Sequence, residues 1–290
     1  MNKILLIYCD GGLANRINSL LSGLVLTRLA GAQPLVLWPR NNRCDVAFED
    51  IFIPNHLALQ TSLPALVSFD RNLTLWLHEN DYGFSGELVA MRGMTDLAQF
   101  YQALARSGPS VLFSENSVLP WLPDALVQAA LLELRFRPEI VQRALSIIAR
   151  ESRAGYFGIH LRATDFTSPP PVTEMFALVQ TNRDKRFFVC SDNPELEQKF
   201  SREPNVFIHE KSAYVEKRDE GGWRGAYLDS DGLPYTSNIN RTSDSVLQAA
   251  VDLLLLTGST TIKTSASSFL ALAERMRQAG YLVSLIPRSS

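Results

Sequence analysis

The sequence predicts an α/β protein of two units, each built on a mainly parallel sheet with helices on its faces. Three observations carry that reading. Short apolar runs alternate with helical patterns along the chain. A length of 290 residues with 46% hydrophobic content suits about two domains. Four polar motifs each follow a predicted strand, which is where ligands bind in open α/β sheets.

The first run, 4–8, reads as a buried strand. Gly11-Gly12 breaks it, and a helix follows with Ile17, Leu20, Leu21 and Leu24 at spacings of three and four. Residues 35–38 form a second strand, closed by Pro39. The stretch 40–90 carries no clean period. Thr95 is placed to cap a helix whose inner face is Leu97, Phe100, Tyr101 and Leu104. Residues 111–113 make a strand, and Pro138 stands at the first position of a helix running to about 152.

The second half is more regular. Strands are predicted at 156–161, 186–190 and 206–208, with helices at 172–179 and 194–200 between them. About thirty polar residues follow, with Gly221, Gly222, Gly225 and Gly232 among them, and a loop that long is usually functional or disordered. An apolar helix at 243–257, a strand at 261–263, a helix at 267–278 and a last strand at 282–286 complete the chain. The two units are expected at 1–150 and 151–290.

The net charge of −2 and pI near 6.1 give no broad basic field, so nucleic acid is not expected as a partner. Cys9, Cys44 and Cys190 are odd in number with no paired spacing, which fits a reducing compartment. His56, His78, His160 and His209 are scattered, so no metal site is expected. No stretch approaches the ~18 apolar residues of a membrane span, and the N-terminus lacks a signal core. A cytoplasmic, soluble protein is the expectation.

The motifs carry the chemistry. Gly11-Gly12 allows a tight turn into a helix whose first N–H groups attract an anion, although a plain turn explains the glycines equally well. His160 and Arg162 fall on one face of a strand end; Arg162 can fork onto a diphosphate and Asp165 can orient it. A structural Arg–Asp pair beside a core histidine is the alternative. Asp252 lies in a helix apolar nearly all round and must be paired, either with guanine's two donors or with a nearby arginine or backbone N–H. Ser267, Ser268 and Phe269 open a helix after a strand, which is an anion site or an ordinary serine cap. Ser191-Asp192 before Asn193-Pro194 reads most simply as a helix cap. Asp229-Ser230-Asp231 has the form of a metal-binding Asp-x-Asp but follows no strand, and Trp223, Tyr227 and Tyr235 are able to stack on sugar rings.

In these residues the chain resembles the fucosyltransferase superfamily, which includes nodulation, core and protein O-fucosyltransferases. The likeness rests on Gly11-Gly12-Leu13-Ala14-Asn15-Arg16, on His160-Leu161-Arg162-Ala163-Thr164-Asp165, and on Asp252 with Ser267-Ser268-Phe269. It covers the first thirty residues and much of 156–275. The resemblance implies a GT-B fold: two Rossmann-like domains with mainly parallel sheets facing a cleft, the first on the acceptor side and the second binding nucleotide sugar. It also implies inversion at the anomeric carbon without metal or other cofactor. His160 and Asp252 would then contact guanine, and Arg162 and Ser268 the diphosphate, with Gly11, Gly12, Asn15 and Arg16 close to it. Ala163 stands where many members carry a second arginine, and Pro169-Pro170-Pro171 where the core enzymes carry their general base.

The expected function is transfer of fucose from GDP-fucose to a glycan acceptor, with Arg162 and Asp165 as the catalytic pair and Ser191 and Asp192 at the donor. Two alternatives stay open: a transferase using another nucleotide sugar, and a non-catalytic nucleotide- or glycan-binding protein on the same scaffold.

Overall fold

The computed structural model describes residues 3–54, 57–60, 73–77, 87–89, 94–151, 155–163, 171–217, 227–228, 234–235, 239–264 and 267–285. It divides into two compact units, Met1–Arg40 with Ala47–Arg135, and Asn41–Val46 with Phe136–Ser290.

The first unit runs β1 (Ile4–Tyr8), α1 (Leu13–Ala30), β2 (Gln33–Leu37), α2 (Phe48–Ile51), β3 (Phe52–Ile53), β4 (Leu59–Gln60), β5 (Thr74–Leu77), β6 (Glu87–Val89), α3 (Leu97–Arg106), β7 (Ser110–Ser114) and α4 (Asp124–Glu133), with β8 (Arg135–Phe136) at its end. Six strands form one parallel sheet in the order β4-β2-β1-β7-β5-β6. The helix α1 lies so close to β1 that a Cβ on Gly23 would meet Ile7 at 2.6 Å. That contact explains why a glycine stands inside a helix, where it is otherwise costly. The cap of α3 is Asp96, whose carboxylate accepts from Gln99 N at 2.9 Å, rather than the expected Thr95.

The second unit runs α5 (Pro138–Glu151), β9 (Phe157–Leu161), α6 (Val172–Thr181), β10 (Phe187–Ser191), α7 (Pro194–Phe200), β11 (Val206–Phe207), β12 (Glu216–Lys217), β13 (Tyr227–Leu228), β14 (Pro234–Tyr235), β15 (Ile239–Asn240), α8 (Ser243–Thr257), β16 (Thr261–Thr264), α9 (Ser268–Gln278) and α10 (Tyr281–Leu285). Its parallel sheet has the order β11-β10-β9-β16. One face carries Ile159, Leu161, Phe187 and Val189 against Met175, Val179 and Phe200 of α6 and α7. The other face meets α8, where Gly158 leaves room for Leu256 and Ser259; a Cβ would come within 3.0 Å of both. Alternation along β9 puts Gly158 and His160 on this second face and Ile159 and Leu161 on the first.

Three expectations change. The unit boundary falls at 135/136 instead of 150/151, because α5 packs against α8 of the second unit. The second unit also takes in residues 41–46, tied to it by Asp45 N–H to Arg241 O at 3.0 Å and Arg241 N–H to Asn42 O at 2.8 Å. The run 282–286, expected as a strand, is helical over its described residues, which belong to α10: Tyr281 packs edge-on to Phe136 while Val283 is 75% exposed. A short apolar run cannot be told from a helical turn by period alone. Within the long polar stretch, β12 pairs with β15 and β13 with β14, both antiparallel. Among the described residues no helix is long and apolar enough to cross a membrane, and Cys9, Cys44 and Cys190 are buried and form no disulfide.

Candidate functional site

The parallel register brings three strands level at the carboxyl end of the second sheet. His160 lies opposite Cys190 and Thr264, and Leu161 opposite Ser191. His160 is 8% exposed, and its ring stacks on Phe269 with centroids 5.1 Å apart at 29°. Its Nδ1 is 3.5 Å from the hydroxyl of Ser267. Ser267 also caps α9, accepting from Leu270 N at 3.2 Å. The cap and the anion-site readings of this serine are therefore compatible, since one hydroxyl fixes the helix start while the first-turn amides at Ser268 and Phe269 have no acceptor within the helix. Arg162, half-buried, immediately follows β9. Asp165, the expected partner of Arg162, lies outside the described residues, as do Trp223 and Asp229-Ser230-Asp231.

Ser191 and Asp192 are not the helix cap. Asn193 takes that role for α7, accepting from Glu195 N and Leu196 N at 2.8 and 3.3 Å. Ser191 and Asp192 instead tie neighbouring strand ends together. The Ser191 hydroxyl donates to Leu161 O at 2.6 Å and Asp192 Oδ1 accepts from Ala163 N at 2.7 Å.

Asp252 is engaged inside the protein. Oδ2 pairs with Lys211 Nζ at 2.7 Å and Oδ1 meets His209 Nδ1 at 3.0 Å. The carboxylate is thus paired within the protein, by a lysine and a histidine and not by the arginine or backbone N–H set out as the alternative to guanine. Both partners come from a stretch that carries no pattern. Burial pushes the Asp252 carboxyl up, but Lys211 and His209 outweigh it and hold it below the ordinary carboxylate range. Lys211 also pairs with Glu197 Oε1 at 2.5 Å, and Tyr214 donates to Glu197 Oε2 at 2.6 Å. Burial would lower the Lys211 ammonium; Asp252 and Glu197 reverse this and hold it above its usual value. For Glu197 the burial effect prevails over Lys211, and its carboxyl is raised.

Sequence reasoning missed this cluster. Glu197 left one trace, falling three residues before buried Phe200 on the inner stripe of α7. Lys211 left none, because its partners Glu197 and Asp252 are remote from it along the chain.

In the first unit the glycine turn follows β1. Gly11 has φ 82°, and a Cβ there would meet Asn15 Nδ2 at 3.0 Å, so the position needs glycine on two counts. Gly12 precedes α1 in an extended conformation. Arg16 turns inward and is fully buried: Nε donates to Gly11 O at 2.8 Å, Nη1 to Pro39 O at 2.5 Å, and the guanidinium lies over Trp38 at 5.2 Å. It braces the turn from within the first unit. Asn15 remains half-buried beneath Gly11.

No family model matches the chain, and no curated protein matches it in sequence. Solved structures do match. NodZ alpha-1,6-fucosyltransferase co-crystallized with GDP aligns with a TM-score of 0.55 at 12% identity, over 94% of this chain and 92% of that one. Fucosyltransferase NodZ from Bradyrhizobium aligns at 0.55 and 13% identity over 94% and 93%. POFUT1 in complex with GDP-fucose aligns at 0.53 and 13% identity over 96% and 95%. The likeness spans both units, and it is one of architecture. With mainly parallel α/β sheets in each unit and near-complete alignment to these enzymes, the chain has the fucosyltransferase-like GT-B fold.

Proposed function

We propose that the protein is an inverting, metal-independent glycosyltransferase that transfers fucose from GDP-fucose to a glycan. The observation that carries this is the strand end of the second unit, where Arg162, the His160–Phe269 stack and the N-terminus of α9 belong to adjacent strands β9 and β16. A guanidinium and a helix N-terminus together suit a diphosphate, the first by bidentate hydrogen bonds and the second by aligned amides. Solved proteins of the same architecture bind GDP and GDP-fucose.

In this reading Arg162 and the first turn of α9 bind the diphosphate in the ground state and more tightly as its charge grows. Stabilising charge that develops on a leaving group is the part of binding that accelerates the reaction. Asp165 orients Arg162. His160, fixed by Phe269 and Ser267, lies on the nucleoside side. Gly11 and Gly12 form the tight turn after β1 in the first unit, braced by Arg16.

A melting-temperature panel with GDP, UDP, CMP and dTDP tests the donor class. The expected result is a rise with GDP above the other three, and slow release of fucose from GDP-fucose in the absence of acceptor. A rise only with UDP or dTDP transfers the reading to another nucleotide sugar. Binding of GDP-fucose without turnover, with or without glycans, points to a non-catalytic binding protein.

A further inference from the structure

Arg162 is bracketed by two residues that are both held from the carboxyl end of β10 and the residue after it. Leu161 O accepts the Ser191 hydroxyl at 2.6 Å, and Ala163 N–H donates to Asp192 Oδ1 at 2.7 Å. The Ser191 backbone is clamped in turn from both sides. Its N–H donates to Glu197 Oε1 at 2.7 Å and its carbonyl accepts from Lys211 Nζ at 2.8 Å. An ammonium has three protons, and Lys211 has three acceptors for them: Ser191 O, Glu197 Oε1 and Asp252 Oδ2. The side chain is 4% exposed, so every donor is committed within the fold.

Stability alone is a weak reason for such a cluster. Desolvating a lysine and two carboxylates consumes much of what their attraction returns, and apolar groups of equal volume often serve as well. What apolar groups cannot supply is a fixed donor for Ser191 O. The clamp therefore specifies a backbone path, and that path leads to the residues flanking Arg162.

We propose that Lys211 is a positioning residue: held by Asp252 and Glu197, it fixes Ser191 and Asp192 and, through them, the segment that aims Arg162. The proposal rests on the reading of Arg162 as a diphosphate ligand.

Lys211→Met alone strands two buried carboxylates and puts folding at risk. The test therefore uses the triple variant Lys211→Met/Glu197→Gln/Asp252→Asn. It removes all three charges and keeps an oxygen to accept from Ser191 N–H, but takes away the ammonium that donates to Ser191 O. Amide exchange at Ala163 should be about tenfold faster, the equivalent of one lost hydrogen bond, while thermal unfolding stays cooperative. Calorimetry should show GDP affinity down by about ten- to a hundredfold, as for a group displaced by a distant change, with guanosine affinity unchanged. In an Arg162→Ala background the triple change should cost GDP affinity nothing more, because the two act on one contact. Unchanged exchange at Ala163, or the same loss of GDP affinity in both backgrounds, overturns the proposal. Failure of the native protein to bind GDP sinks the nucleotide reading instead, and exchange at Ala163 then decides alone whether Lys211 holds this segment.

Discussion

Arg162 and Gly11 show how single residues divide between chemistry and geometry. Under the proposed function Arg162 needs a planar fork, which lysine lacks. Arg162→Lys should therefore lose nearly as much turnover as Arg162→Ala, with melting temperatures close to native for both. Steady-state kinetics beside melting curves decide the point, and full activity in Arg162→Lys would leave only an ion-pair role. Gly11 makes the opposite test. Its φ is 82°, and Asn15 Nδ2 stands 3.0 Å from the place a Cβ would take. Gly11→Ala should destabilise the first unit by about 1–2 kcal/mol from backbone strain alone. Denaturant unfolding gives the value, and no change in midpoint would mean the turn relaxes freely. Arg16 illustrates the limit of reading residues singly. Its place beside two glycines suggests a ligand, and its guanidinium also serves two carbonyls of its own unit, which the motif alone does not reveal.

At the scale of elements, α8 and α7 are legible in the sequence because several signals agree. The apolar run of α8 is long and begins after Thr242, whose hydroxyl accepts from Ser245 N; α7 opens with Pro194 behind the Asn193 cap. The strands β3, β4 and β6 are two or three residues long, too short to show a period, and they lie in the stretch without a clean pattern. The strand-end motifs at His160, Arg162 and Ser267 are visible because each interrupts an apolar pattern. The Lys211 cluster is invisible because its meaning depends on contacts from separate elements. Asp252 is recognisable as buried and paired, but its partner could only come from the fold. Its pH signature follows from the direction of its shift. The folded carboxyl lies below its ordinary range, so the stability it contributes is complete above that range and lost as pH falls through it. Glu197, shifted the other way, is instead relieved on acidification. Melting curves should show Asp252→Asn well below native at neutral pH, with the gap narrowing toward about pH 3, where unfolded aspartate becomes protonated. A gap constant with pH would mean that Asp252 acts through packing and not through its charge.

For the molecule as a whole, the proposed use of Arg162 and a helix N-terminus as the diphosphate site makes a prediction about metal. Fucose transfer or donor hydrolysis should persist in excess EDTA; activity that disappears and returns with manganese would reject that account. The architecture has a second consequence, which concerns how the chain is threaded. Residues 41–46 belong to the second unit although they interrupt the first, so the polypeptide passes between units at 40/41, 46/47 and 135/136. A ribosome therefore releases a piece of the later unit well before the rest of it exists. Cutting the gene at 135/136 would leave fragment 136–290 without the partners that Asn42 and Asp45 give Arg241 and that Asn42 Nδ2 gives Ile239 O at 3.1 Å. Fragment 136–290 alone should show rapid exchange at Arg241, and co-expression with fragment 1–135 should restore its protection. Such complementation makes the short crossing at 41–46 a latch between halves of a gene, open to control by splitting and rejoining the chain.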